Sequence, residues 1–262
     1  LDQRILPKRF LVVSNRLQYG IEIEDDRVRL ERGLGGLVTA LDPVLRLTGG
    51  VWFGWSGSYS PVPDHIQVDE RLSGKSSYEL KALELTEEQV SRYYLGYANR
   101  AIWPLFHYFQ EHCEFNRDHW QTYERVNRRF ADAIIAEYQP GDLIWIHDYH
   151  LMLVPEMVRR EIPQATIGFF LHIPFPNEEI YVLEPHAEQL LRGVLGSDVV
   201  GFHLDSYAYN FLNAVAMLTD HRFEKGDKEV NVDGRYVKAG SYPISIDFDY
   251  FADLAARDDL PE

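Results

Sequence analysis

Two short apolar runs and the stretch between them form the most informative pattern in the chain. Residues 143–146 and 166–171 are rich in β-branched, aliphatic and aromatic side chains, which is typical of buried strands. Between them, residues 151–161 carry apolar side chains at helical spacing. This order predicts a strand–helix–strand unit whose two strands lie parallel in one sheet.

The same alternation of apolar runs and helical patterns extends over the rest of the chain. Further strands are predicted at 10–14, 51–55, 77–85, 198–202 and 237–246, further helices at 37–45, from 86, at 120–138, 179–194 and 205–218, and hairpins at 21–30 and around 233–234. Pro43 predicts a kink or a late start of the first helix. The predicted fold class is α/β, a Rossmann-like parallel sheet with helices on both faces and β-hairpin insertions.

Polar residues follow three of the predicted strands at the point where each strand ends. Arg16 follows the strand at 10–14, the run HDYH occupies positions 147–150, and His172 ends the run at 166–171. In open parallel sheets, ligands bind beyond the carboxyl ends of the strands. The sequence therefore predicts a binding site at this edge, which we call the carboxyl rim.

Several chemistries fit these rim residues. The HDYH run is consistent with a metal site, a general base or a hydrogen-bonding cluster, although its histidine spacing does not match a common zinc site. The carboxylate of Asp148 suits a substrate rich in hydroxyl groups. Arg16 fits an anion site or a surface ion pair, and His172 fits a binding residue or a core histidine.

Two more sequence patterns each allow two interpretations. The run GLGG at 33–36 precedes a predicted helix, so it is either a phosphate-binding loop or a plain turn. The aromatic stretch that contains Tyr94 and Trp103 is typical of core packing and also of carbohydrate-binding surfaces. The residues alone indicate a rim that binds anions and hydroxyl groups, and no narrower function.

Composition narrows the class of partner. A formal net charge of −15 disfavours nucleic acids and anionic membrane surfaces, both of which need a basic footprint. The single cysteine, Cys113, excludes an intrachain disulfide and favours a reducing, cytoplasmic location. No apolar run reaches the length of about 18 residues that a membrane-spanning helix needs.

Seven segments together resemble the N-terminal half of the trehalose-6-phosphate synthases, retaining glycosyltransferases of the GT-B fold. They run in the family's order over nearly the whole chain: VVSNR (12–16), GLGGL (33–37), VWFGWSG (51–57), YY with NRAIWPLFH (93–107), WIHDYHLMLVP (145–155), GFFLHIPFP (168–176) and DVVGFH (198–203). The resemblance implies the N-terminal domain of an enzyme that transfers glucose from UDP-glucose to glucose-6-phosphate with retention.

The resemblance also implies an acceptor site. It assigns Arg16 and Tyr94 to the acceptor phosphate and Asp148 to acceptor hydroxyl groups, with Asp148 counted as catalytic. Trp52 or Trp55 would line the acceptor side.

For the donor, the resemblance places Gly35 and Gly36 near the diphosphate and His172, the second catalytic residue, near the donor sugar. Trp103 and Ile173 would shape the pocket that fixes the anomer. The chemistry implied uses no enzyme nucleophile, no cofactor and no metal, and its partners are the two small-molecule substrates. Homo-oligomerisation is left open.

The chain departs from the family in length, because family members continue into a second Rossmann-like domain that holds most of the nucleotide site. We expect residues 1–240 to form the acceptor-side domain, 241–262 to begin the crossover, and the 262 residues alone to be inactive. Two alternatives stay open: a relative with another phosphorylated acceptor such as glycerol-3-phosphate, and a catalytically silent sugar-phosphate-binding or regulatory subunit.

Overall fold

A computed structural model describes residues 7–17, 19–24, 27–32, 36–59, 62–63, 65–67, 78–223, 226 and 228–244, with the single residues 248, 252 and 255. The strands are β1 (Phe10–Arg16), β2 (Tyr19–Glu24), β3 (Arg27–Arg32), β4 (Gly50–Trp55), β5 (His65–Gln67), β6 (Glu79–Leu83), β7 (Leu143–His147), β8 (Thr166–Phe170), β9 (Val199–Phe202), β10 (Glu229–Val232) and β11 (Arg235–Ser241). The helices are α1 (Gly36–Thr48), α2 (the consecutive segments Glu87–Gln89, Val90–Ile102 and Trp103–Phe106), α3 (Arg117–Glu137), α4 (Val154–Glu161), α5 (Glu178–Tyr181), α6 (Ala187–Val194) and α7 (Asp205–Leu218).

Nine of the described strands form one sheet in the order β10-β11-β9-β8-β7-β1-β4-β6-β5. Every neighbouring pair is parallel except β10–β11 and β5–β6, which close the two edges with antiparallel strands. The strands β2 and β3 form a separate hairpin. The Rossmann-like α/β class with hairpin insertions, predicted from the apolar runs, is therefore confirmed.

Alternate residues of the central strands pack into two cores on opposite faces of the sheet. Leu11 and Val13 of β1 belong to the larger core, which contains buried residues of α2, α3, α4, α6 and α7. Val12, between them, joins Leu41 and Leu45 of α1 in the smaller core. This period of two is the one expected for a strand covered on both faces.

The helix α2 is unusual because its central segment, Val90–Ile102, is π-helical. It starts with a capping box in which Thr86 and Gln89 bond each other's backbone N–H. Tyr93 and Tyr97 project from it into the large core and lie 0–1% exposed. Because long π-helices are rare and π-helical turns often occur at functional sites, α2 is a segment of interest.

Several predicted boundaries need correction. The first helix begins at Gly36, so the late start inferred from Pro43 is wrong. The helix predicted at 179–194 is two helices, α5 and α6, because Pro185 disfavours helical geometry at the preceding residue. The strand predicted to reach residue 246 ends at Ser241, and most of the predicted crossover at 241–262 lies outside the described residues. The helix predicted from residue 86 is present as α2, whose end and π-helical segment were not predicted, and β5 was not predicted.

A buried hydrogen bond beneath the rim supplies a stability test. The indole of Trp52, which is fully buried, donates to Ser14 Oγ at 2.8 Å. We expect Trp52→Phe to lower the free energy of unfolding by about 1–2 kcal/mol, because a buried hydroxyl loses a partner. Trp103→Phe is the control, since Trp103 is 39% exposed and should change stability by less than about 0.5 kcal/mol. Urea unfolding of both variants measures the difference, and equal losses would contradict the assignment.

Candidate functional site

Arg16 is the last residue of β1 and its side chain is exposed at the carboxyl rim. Its guanidinium carbon lies 5.3 Å from the centroid of the Trp55 ring, at the end of the neighbouring strand β4. Within the described part of the chain, no carboxylate forms an ion pair with it. A guanidinium held against an aromatic ring and left without a described carboxylate is suited to bind an anion.

Gly57 makes room for this arrangement. Its φ of +84° is one that side-chain-bearing residues rarely adopt, and a Cβ at this position would lie 2.3 Å from Arg16 Nη2. The turn after β4 therefore needs glycine both for its backbone and for the guanidinium. Ser56 and Gly57 end the run VWFGWSG at 51–57, but the sequence alone does not reveal the contact with Arg16.

Asp148 follows β7 in a strained backbone conformation, with φ of 75° and ψ of 168°. This region is almost restricted to glycine and costs other residues about 1–3 kcal/mol. Two hydrogen bonds stabilise this strained conformation. Asp148 N–H donates to Phe170 O at 2.8 Å, and Asp148 Oδ1 accepts from His172 N at 3.2 Å. Burial raises the pKa of the Asp148 carboxyl to about 6. Strain of this kind is typical of functional sites.

Three histidines lie near Asp148, two of them in the same run of sequence and the third linked to it by a backbone hydrogen bond. His147 Nδ1 and His172 Nε2 lie 3.0 Å apart. Burial lowers the pKa of His147 well below its ordinary value, with a further decrease from His172. Burial also lowers the pKa of His150 to about 3, while burial and then His203 lower the pKa of His172 to about 4. All three rings are therefore neutral at pH 7.

Tyr94 and its neighbours connect α2 to the HDYH turn. The Tyr94 ring lies 5.5 Å from the ring of His150, measured between centroids. Tyr149 Oη donates to Asn99 Oδ1 at 3.0 Å, also from α2. Closer to Arg16, Tyr93 Oη donates to Asn15 Oδ1 at 3.0 Å. Through these bonds the π-helical segment places Tyr94 next to the ends of β1 and β7.

The helix α3 fixes the same turn from behind. Tyr123 Oη donates to the backbone oxygen of Tyr149 at 2.7 Å and accepts from Met152 N at 3.1 Å. Asn127 is fully buried, and its Nδ2 donates to His150 O at 3.0 Å. These backbone contacts make the position of Asp148 a property of the fold and not of a mobile loop.

The two residues predicted to fix the anomer lie on different segments. Trp103 stacks on His107 at a ring distance of 4.1 Å and is 39% exposed. Ile173 is partly buried and packs against the large core in the loop after β8. Tyr108 Oη accepts from Asn177 N at 3.0 Å, which ties the segment after α2 to that loop.

The structure separates the two tryptophan candidates. Trp55 packs in the large core on the same face as Tyr94, whereas Trp52 belongs to the smaller core beneath α1 and has no exposed surface. Trp55 is thus the one that lies beside Arg16. Trp52 instead donates a buried hydrogen bond to Ser14.

The predicted phosphate loop is described only in part. Gly35 lies outside the described residues, and Gly36 opens α1 with nothing within 4 Å of a Cβ placed there. The helix ends at Thr48 just before β4 begins, so its first turn points toward the carboxyl rim. An open helix N-terminus at this edge is suited to an anion.

An apolar cleft of about 580 Å³ lies on the α1 side of the sheet. Its walls include Trp145, Phe170 and Tyr242, and His147 and His172 line it as well. Among the described residues, no group of three or more possible metal ligands is gathered in one place. None of the helices described is long and apolar enough to cross a membrane.

Comparison with known proteins gives one consistent result. The family model described as glycosyltransferase family 20 matches residues 8–262. The UDP-forming alpha,alpha-trehalose-phosphate synthase 1 of Aspergillus niger is 41% identical over 248 residues, which cover 93% of this chain and 47% of that protein.

Two solved structures extend the comparison. The Burkholderia xenovorans UDP-forming synthase in complex with glucose-6-phosphate superposes with a TM-score of 0.78 at 28% identity, covering 94% of this chain and 52% of that one. The E. coli trehalose-6-phosphate protein bound with UDP-2-fluoro glucose superposes with a TM-score of 0.80 at 32% identity, covering 97% and 52%. The chain spans a third to about half the length of the curated relatives it matches.

Proposed function

The chain belongs to glycosyltransferase family 20, and we propose that it is the acceptor-side half of an enzyme that moves glucose from UDP-glucose to glucose-6-phosphate, giving trehalose-6-phosphate. The observation that carries the proposal is the pairing, on one rim, of an exposed guanidinium without a described carboxylate partner and a strained, partly buried carboxylate. The first suits a phosphate and the second suits hydroxyl groups, and a sugar phosphate presents both. Two of the relatives named above, described as UDP-forming synthases, support the same interpretation.

In this proposal the acceptor phosphate binds Arg16, with Tyr94 beside it on α2. Arg16 offers two parallel N–H groups to phosphate oxygens, a geometry that lysine lacks. Asp148 accepts hydrogen bonds from hydroxyl groups of the acceptor sugar. Trp55 supports Arg16 from below and so contributes to the acceptor side indirectly.

In this proposal the donor diphosphate lies against the first turn of α1, which begins at Gly36, and Gly35 is the other glycine assigned to it. Since the chain carries a formal net charge of −15, local donors and the helix dipole must hold the anion against the overall field. His172 faces the donor sugar, and Trp103 and Ile173 limit the poses that the two sugars can take.

The proposed reaction needs no nucleophile from the protein. The acceptor oxygen attacks the anomeric carbon from the face that UDP leaves, so the configuration is retained. The residues of this chain then act by positioning the two sugars and by stabilising the charge that develops on the diphosphate. A cytoplasmic location, self-association and the crossover at 241–262 stay predictions.

The proposal is tested by UDP release from a protein that carries this sequence together with a donor-binding domain. UDP-glucose is supplied with glucose-6-phosphate, glycerol-3-phosphate, free glucose or no acceptor. We expect release that depends on glucose-6-phosphate, and none from the 262 residues alone. Release with glycerol-3-phosphate instead would keep the chemistry and change the product. No release with any acceptor from a folded protein would favour a sugar-phosphate-binding subunit.

A further inference from the structure

A buried imidazole and a partly buried one share a hydrogen bond at the ends of neighbouring strands. His147 is the last residue of β7, and His172 follows β8. Their atoms Nδ1 and Nε2, respectively, lie 3.0 Å apart. Because a neutral imidazole has one donor and one acceptor nitrogen, the donor ring in this pair determines the tautomer of the other.

The surroundings of His147 decide which ring donates. His147 is 1% exposed, and its Nε2 is buried without a hydrogen-bond partner among the described residues. A buried N–H without an acceptor is rarer in folded proteins than an acceptor left without a donor. The proton of His147 is therefore placed on Nδ1, where it has a partner. Nδ1–H donates to Nε2 of His172, so the proton of His172 resides on Nδ1.

We propose that His147 is a positioning residue that holds His172 in the Nδ1–H tautomer, so that His172 offers a neutral N–H donor to an oxygen atom of the bound sugar nucleotide. Within the described part of the chain, no group bonds His172 Nδ1, which leaves it available to a ligand. The identity of that ligand rests on the proposed function, whereas the tautomer does not.

The surroundings of His147 and His172 keep both rings neutral, so the hydrogen bond between them contains one proton. Burial lowers the pKa of both rings, and His203, whose ring centroid lies 5.7 Å away, lowers that of His172 further. The backbone of His172 is also fixed, because its N–H donates to Asp148 Oδ1. A fixed donor at this place stabilises negative charge developing on an oxygen without rearranging during the reaction.

The tautomer is measured directly by NMR of the protein with ¹⁵N-labelled histidine, where the ring nitrogens of each tautomer give distinct shifts and couplings. We expect His172 to be protonated on Nδ1 and unprotonated on Nε2. A proton on His172 Nε2, or an even mixture of tautomers, would overturn the proposal. This result does not depend on catalysis, so it is separable from failure of the proposed function.

Substitutions at His147 test the coupling. His147→Phe keeps a ring but removes the donor, so the His172 tautomer should become mixed and kcat should fall about tenfold with little change in the KM for glucose-6-phosphate. His147→Asn places an amide N–H near the former Nδ1 and should restore both. His150→Phe is the control for a buried histidine that does not bond His172 and should leave its tautomer unchanged. Loss of activity in His147→Phe with an unaltered His172 tautomer would reject the positioning role, and if this variant does not fold, the spectrum of the unmodified protein decides.

Discussion

Arg16→Ala is expected to lower UDP release that depends on glucose-6-phosphate by about a hundredfold or more, because charged hydrogen-bonded partners in binding sites contribute about 2–5 kcal/mol. The loss should appear mainly as weaker use of the acceptor, since Arg16 lies at the end of β1 beside Trp55 and not beside His172. The measurement is kcat/KM for glucose-6-phosphate at fixed UDP-glucose.

Arg16→Lys and Arg128→Ala are the matched comparisons. Lysine keeps the charge and loses the planar two-point contact, so an intermediate loss is expected. Arg128 pairs with Asp132 across one turn of α3, on an exposed face, and its removal should change activity little. Equal activity of Arg16→Ala and Arg128→Ala would exclude Arg16 from the acceptor site.

Asp148→Asn is expected to reduce activity at least tenfold and yet to favour folding at high pH. Burial raises the pKa of the native carboxyl to about 6 from an ordinary 3.8. The carboxyl therefore adds stability that is fully present below about pH 4 and is lost as the pH rises through about 6. Above that pH the native protein holds a partly buried charge that asparagine lacks.

Urea unfolding at two pH values measures this effect. The free energy of unfolding of Asp148→Asn, relative to that of the unsubstituted protein, should be about 2 kcal/mol larger at pH 8 than at pH 4.5, which means a relatively more stable variant at the higher pH. Comparing variants cancels the opposite contributions of the rim histidines, which destabilise the fold as the pH falls. Asp132→Asn, on an exposed helix face, should show no such difference. A pH-independent difference at Asp148 would mean that the carboxyl is not desolvated.

The parallel core of the sheet could be predicted because each of its strands is a short apolar run of the kind that is typical of buried strands. Residues 143–146 and 166–171 cannot form an exposed surface, and the helical spacing between them fits only a crossover. The π-helical geometry could not be predicted because Tyr93 and Tyr97 lie four residues apart, a spacing that an ordinary α-helix also has. The strand β5 has only three residues and is too short to show a pattern.

The sequence predicts where the site lies, but it does not predict the contacts between the side chains of the site. Strand ends place Arg16, Asp148 and His172 on one rim, and topology alone requires that. The choice of Trp55 over Trp52 depends on which face of β4 each occupies, and the role of His147 depends on a bond across two strands. Neither can be read from spacing along the chain, since both depend on packing between distant segments.

The position of β1 in the middle of the sheet sets the order in which the chain can fold during synthesis. Phe10 pairs with Gly50 on one side but with Leu143 on the other. At ribosomal rates of about 5–20 residues per second, one edge of the central strand waits on the order of ten seconds for its partner. An apolar strand with an open edge is a template for association with other chains. We therefore expect this edge of β1 to be prone to association with other chains until β7 emerges from the ribosome and pairs with it.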